Sequence, residues 1–236
     1  MQLPFWIVLI GLLAGMFLSV KAGKLDLTGA LTGGVLGLAI FLGAGITGLA
    51  MLGTFFVVGS FVTAWKIKDK VAVGLAEPNK GRRTASQALA NAGVAGMLGL
   101  SAWLYPSTAD VCRLMLAAGF ASATSDTCSS ELGNVYGRRF YNVLTLRTDS
   151  RGLNGVISIE GTVLGLLGSC LIAGLYGLGF GWGWPILWIL IAGVVGNLAD
   201  SVLGATLERA GHLSNDAVNF LNTLVAALVA LLLYAL

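Results

Sequence analysis

The stretch GFASATSDTCSSELGNVYGRR, residues 119–139, begins like the inside of a membrane span and ends in paired arginines. Between them it carries Asp126, Glu131 and a row of small hydroxyl side chains. An ionised carboxylate in a bilayer is costly, so in a membrane helix such residues face a polar interior and often mark a site. Whether this is a membrane helix is decided by the chain around it.

Of the 236 residues, 56% are hydrophobic and only 11% charged, with a mean hydropathy of +0.86. A soluble domain carries about a quarter charged residues. The apolar residues come in runs of roughly twenty, the length that crosses a bilayer as a helix. The expected fold is therefore all-α: a polytopic membrane helix bundle, forming a single transmembrane domain over residues 1–236. Hydropathy places about eight transmembrane helices, at 3–20, 27–43, 46–65, 86–104, 111–132, 154–178, 184–207 and 215–236. Residues 1–20 lack a basic start and an A-x-A exit, so they read as the first span rather than a cleaved signal.

The basic residues agree with that count. They cluster at Lys21 and Lys24; at Lys66, Lys68, Lys70, Lys80, Arg82 and Arg83; at Arg138, Arg139, Arg147 and Arg151; and at Arg209 beside His212. With eight spans, thirteen of the fourteen lie on one face and only Arg113 on the other. The positive-inside rule makes the rich face cytoplasmic and turns both termini outward. Two cytoplasmic loops are long, about 66–85 and 133–153, so any chemistry belongs at that face. Cys112, Cys128 and Cys170 are far apart in sequence and read as packing residues. With one histidine, no zinc or haem site is expected. Most of the 34 glycines read as helix contacts that let membrane helices approach closely.

Asp126, Glu131, Glu160 and Asp200 fall inside predicted spans. Their positions put all four at similar depth, just under the cytoplasmic surface. GFASATSDT (119–127) and GVVGNLADS (193–201) share a glycine, six intervening residues, an aspartate and a hydroxyl. Both lie on helices of the same direction, and weak internal repeats often place a membrane protein's site at their interface. Mg²⁺ takes one or two carboxylates plus phosphate oxygens and water. Asp126, Glu131 and Asp200 are the expected metal ligands and catalytic residues, with Ser125, Thr127, Ser129, Ser130, Asn197 and Ser201 around them. The competing reading pairs each carboxylate with an arginine or a helix N-terminus.

The loop EPNKGRRTASQALAN (77–91) sets Lys80, Gly81, Arg82 and Arg83 before Thr84 and Ser86, two candidate N-caps. Positive charge opening onto a helix N-terminus suits an anion, and the arginine fork can donate twice to phosphate. The spacing is not that of a Walker A loop. Lys80, Arg82, Arg83 and Asn91 are candidate phosphate contacts; topology and anionic lipid heads are the alternative. In NVLTLRTDSRGLNGVISIEGTVLG (142–165), Gly155, Gly161 and Gly165 leave a smooth face beside Ser158, Glu160 and Thr162. That face fits either a phosphate or ribose contact, with Glu160 a candidate, or a tight helix crossing. Asn215, Asn219 and Asn222 share one face of the last span.

NKGRRTASQALANAG, SATSDTCSSELG, GVISIEGTVLG and GNLADSVLGATLE, in this order, resemble a family of small integral membrane proteins whose best-described branch is the phytyl-phosphate kinase of chloroplasts and cyanobacteria. That enzyme is similar to the CTP-using prenol and dolichol kinases. The resemblance covers roughly residues 60–225 and implies an isoprenyl-monophosphate kinase. It carries acidic roles onto Asp126, Glu131 and Asp200, and basic ones onto Lys80, Arg82 and Arg83. The expected partners are the membrane, a nucleoside triphosphate (CTP by resemblance) and an isoprenyl phosphate lipid, with Mg²⁺ as cofactor and no nucleic acid. A cytidylyltransferase making a CDP-linked lipid and an ion-coupled transporter of an anionic solute stand as alternatives.

Overall fold

The computed structural model describes residues 4–75 and 81–236. Eight α-helices appear in it: α1 (Phe5–Lys21), α2 (Leu27–Ala64), α3 (Ile67–Ala72), α4 (Ala85–Leu104), α5 (Ala109–Tyr136), α6 (Ile159–Phe180), α7 (Trp184–Leu203) and α8 (Asn215–Ala235). Two short strands, β1 (Tyr141–Asn142) and β2 (Val156–Ile157), pair antiparallel in the α5–α6 connection. Among the described residues, four helical segments are long and apolar enough to cross a membrane: Leu27–Ala64, Ile159–Phe180, Trp184–Glu208 and Asn215–Ala235.

The 38 residues of α2 would run about 57 Å if straight, near twice the hydrocarbon thickness of a bilayer. They are not straight. Gly45 has φ 61° and ψ −153°, a conformation essentially reserved for glycine. A Cβ built on Gly37 would sit 3.4 Å from a methyl of Leu52 and 3.7 Å from one of Leu49. An unbroken helix would hold Gly37 and Leu52 about 22 Å apart. The chain therefore doubles back at Gly45 into two arms, as the separate spans expected at 27–43 and 46–65 require.

At the centre is α5, which packs against α2, α4, α6, α7 and α8. Ala117, Ala118, Ala121, Ser122 and Ala123 are all fully buried there. Small side chains let neighbouring helices come close, where dispersion contacts and interhelical hydrogen bonds replace the hydrophobic drive that lipid does not supply. On α6, Gly161, Gly165 and Gly168 face α5 so tightly that an added Cβ would lie 2.7, 2.9 and 3.0 Å from the carbonyls of Ser129, Ser125 and Thr124. The smooth face of 161–165 is thus a helix crossing. On α4, Gly99 meets α2 in the same way, 2.6 Å from the Ala39 carbonyl. Large apolar side chains such as Leu13, Phe17, Leu178 and Trp182 stay exposed on the outside of the bundle, as lipid-facing residues do.

Caps fix where helices begin. Asp26 accepts from Gly29 N–H at 2.6 Å to start α2. Thr84, not Ser86, caps α4, in a capping box with Gln87. Ser158 accepts from Gly161 N–H at 3.1 Å, so α6 starts at Ile159 rather than at 154 as hydropathy suggested. Residues 154–158 instead form β2 and its approach, entered through Gly155 at φ +73°.

Candidate functional site

The C-terminal turns of α5 and α7 meet the N-terminal turns of α4, α6 and α8 at one end of the bundle. They enclose a polar cavity of about 230 Å³. The α5–α6 connection (Gly152–Ser158) and the turn Gly204–Glu208, a π-helical extension of α7, complete its wall. Three helix N-termini pointing at one space favour an anion there.

Asp126 from α5 and Asp200 from α7 line this cavity, with their carboxyl groups within hydrogen-bonding reach of each other. The two positions of the sequence echo therefore meet. Carboxylates at that range repel unless a proton or cation lies between them. Asp200 is held from the other side: Asn222 Nδ2 donates to its Oδ2 at 2.8 Å, and Ser122 Oγ donates to Asn222 Oδ1 at 3.1 Å. Asn222 is fully buried, so α5, α7 and α8 are tied together behind the aspartates. Asn197 adds a second tie. Its Nδ2 donates to Ser125 Oγ at 3.1 Å, and its Oδ1 accepts from Ser129 Oγ at 3.3 Å.

Of the other expected residues, Arg83, Asn91, Ser125, Thr127, Ser130, Asn197 and Ser201 also line the cavity. Thr127 and Ser130 do so with hydroxyls that donate into their own helix, to the carbonyls of Ala123 and Thr127. Arg83 lies with its guanidinium 4.9 Å from the centre of the Phe55 ring. Arg82 does not line the cavity; it is exposed, and its Nε donates to the Leu25 carbonyl at 3.3 Å. Lys80 lies outside the described residues.

Glu131 and Glu160 are corrections. Five residues turn a helix by roughly 140° beyond one full turn, so Glu131 cannot share a face with Asp126. Its buried carboxylate pairs with Lys70, itself 2% exposed, whose ammonium also donates to the carbonyls of Val62 and Thr63 at 2.9 Å. This pair caps the end of α2 and leaves Glu131 away from the cavity wall. Glu160 accepts from the Arg138 backbone N–H at 3.4 Å, in the first turn of α6, and does not line the cavity either. The four carboxylates thus separate into one facing pair and two groups off the cavity wall. Among the described residues, no three His, Cys, Asp or Glu side chains are grouped closely enough to hold a metal. The aspartate pair alone still suits Mg²⁺, which takes one or two carboxylates and completes its shell with water and phosphate oxygens.

Sequence reasoning missed several wall residues. Gln87 was overlooked because its capping role in α4 is local. Glu208, at the end of the α7 extension, also lines the cavity and hydrogen-bonds Asn154. Asn215 and Asn219, noted from the sequence as sharing one face of the last span with Asn222, also line the cavity. The connection that carries Asn154 is itself anchored: Arg209 donates from Nε to the Asn154 carbonyl at 2.6 Å and from a terminal nitrogen to Asp149 at 3.1 Å. The Ser150 N–H, then Arg209 and Asn142, hold the Asp149 carboxyl below its ordinary value of 3.8.

A family model described as integral membrane protein DUF92 matches residues 10–227. The chain is similar to an uncharacterized membrane protein of Synechocystis, 34% identical over 203 residues, 84% of this chain and 78% of that protein. It is also similar to Protein VTE6, chloroplastic, of Arabidopsis thaliana, 32% identical over 208 residues, and it spans 62% of that protein. An uncharacterized membrane protein of Methanocaldococcus jannaschii is 33% identical over 215 residues, 91% of this chain and 87% of that protein. No solved structure matches.

Proposed function

Because the chain belongs to the DUF92 family of integral membrane proteins, we propose that it works at this cavity as an isoprenyl-monophosphate kinase, with CTP as donor. The facing of Asp126 and Asp200 carries the reading. Two carboxylates from different helices, in a polar space that Arg83 and three helix N-termini make favourable to anions, suit polyphosphate with a divalent cation. The likeness to Protein VTE6 and to the phytyl-phosphate kinase family supports the acceptor class.

In this reading an oxygen of the lipid monophosphate attacks the γ-phosphorus of CTP. The bond from that phosphorus to the bridging oxygen breaks, CDP leaves, and an isoprenyl diphosphate forms. The acceptor is already an anion, so the chain has no strong general base to supply. Asp126 and Asp200 would hold Mg²⁺, which when bound would neutralise charge on the triphosphate oxygens. Arg83 donates to phosphate, and Asn91 and Gln87 offer amide donors beside it. Asn222 keeps Asp200 aimed into the cavity, and Asn197 fixes the hydroxyls of Ser125 and Ser129. Eight crossings (α1, the two arms of α2, and α4 to α8) within one transmembrane domain would place this end at the cytoplasmic face.

The test is turnover by purified protein in nanodiscs, with geranylgeranyl or phytyl phosphate, CTP and Mg²⁺. Formation of prenyl diphosphate and CDP in equal amounts is expected. Pyrophosphate and a CDP-lipid in their place would make the protein a cytidylyltransferase. Solute uptake into proteoliposomes without nucleotide would make it a transporter.

A further inference from the structure

A second cavity, of about 410 Å³, lies between α1, both arms of α2 and the head of α4. Among the described residues, its polar side chains are Ser19, Arg83 and Gln87. All three stand at one end. The opposite end is lined by Ile7, in the first turn of α1, and Ile46, just past the Gly45 reversal. From Ile7 to Ser19 the helical rise gives a length of about 18 Å. Arg83 and Gln87 also line the polar cavity, so the two spaces share a wall made of a cation and an amide.

We infer that this apolar cavity holds the isoprenyl tail of the phosphate-bearing substrate, with Arg83 and Gln87 taking the phosphate where the two cavities adjoin. The inference rests on the kinase reading for the identity of the head group. Charge complementarity selects this occupant: an apolar channel ending in one arginine fits an anionic head on a hydrocarbon chain. Four lining glycines, Gly11, Gly15, Gly33 and Gly53, have open space where a Cβ would be, so they bring no neighbour closer by lacking one. Two further lining glycines, Gly29 and Gly34, instead sit tight against the Arg83 carbonyl and the Met16 side chain.

The experiment uses the whole protein in nanodiscs and geranylgeranyl monophosphate carrying a diazirine on its terminal isoprene unit. After irradiation, the labelled peptides are identified by mass spectrometry. Label is expected on α1 near Ile7–Gly11 and on α2 near Ile46–Gly53. Label on α6 to α8, or spread evenly over the lipid-facing surface, would overturn the inference. Geranylgeraniol bearing the same diazirine, which lacks the phosphate, is expected to label these peptides at least about tenfold less; equal labelling would remove the role given to Arg83. Gly33→Leu and Gly53→Leu, which fill the channel, are expected to cut labelling by a similar factor. Gly174→Leu, at an open position on α6 outside both cavities, is the control; an equal loss there would count against the site. Labelling of α1 and α2 without CTP-dependent turnover would discard the kinase and keep the lipid site. Turnover with labelling elsewhere would do the reverse.

Discussion

Asp126 and Asp200 face each other across the contact between α5 and α7. Two helices bring one carboxylate each to a point that neither could furnish alone. In the proposed reaction, Asp126→Asn and Asp200→Asn lower kcat by at least about a hundredfold, the scale seen when a charge-stabilising group is removed. Full turnover in either variant would remove the aspartates from the mechanism. Chelation of divalent cations should abolish wild-type turnover, and added Mg²⁺ should restore it.

Asn222 touches Asp200 and Ser122 and lies behind the cavity wall. Asn222→Leu would leave Asp200 unsupported on that side. Loss of an outer partner of a metal-binding group typically costs 10- to 100-fold in affinity or activity. The expected sign is a raised Mg²⁺ requirement, with saturating Mg²⁺ recovering part of the rate. An unchanged Mg²⁺ titration would show that Asn222 serves packing alone.

Lys70 and Glu131 form a buried pair, and removing one partner strands the other charge. Lys70→Met should destabilise the protein by about 3–5 kcal/mol. Joining it with Glu131→Leu should recover most of that loss, since buried ion pairs replaced by apolar residues are often neutral. Denaturant titration in detergent reads both. A double variant no better than the single one would mean that Lys70 acts through the Val62 and Thr63 carbonyls rather than through Glu131.

Asp149 governs the connection that walls the site. Its folded pKa lies below the ordinary 3.8, so its contribution is fully present above that value and is lost as pH falls through the lower folded value. Hydrogen exchange at Val143 N–H, bonded to the Gly155 carbonyl, and at Leu146 N–H, bonded to the Asn142 carbonyl, should stay slow near pH 5. It should accelerate, beyond the intrinsic trend, below pH 3.8. Asp149→Asn should exchange faster already at pH 5; wild-type-like protection there would count against this role.

Gly155 tests the same wall from its tip. Its φ of +73° disfavours any side chain, and a Cβ would sit 2.5 Å from both the Ser201 carbonyl and the Ala205 nitrogen. Gly155→Ala should loosen the connection and raise the substrate KM more than it lowers kcat. Kinetics indistinguishable from wild type would mean that the connection does not contribute to binding.

The helices were legible because twenty-residue apolar runs have few other solutions, and the echo around Asp126 and Asp200 gave the pairing in advance. Side-chain direction was not legible from depth alone. Glu131 lies near the depth of Asp126, but the helical turn of five residues aims it at α3, a short helix that hydropathy left inside a loop. Glu160 failed similarly: the first turn of α6 binds it to the Arg138 backbone instead of the cavity. Gln87 and Glu208 gave weak signals because each has a local role that explains it. The glycines of α6 could be read two ways until α5 was seen lying against them.

The reversal at Gly45 also governs how the chain can be handled. The two arms of α2 join without an intervening loop, so that end has no room between them for an epitope, a glycan acceptor or a protease site. Reporters of orientation must go into other connections, such as those between α4 and α5 or between α5 and α6. During synthesis the arms have no polar stop between them, and they are expected to partition into the bilayer together, as one hairpin.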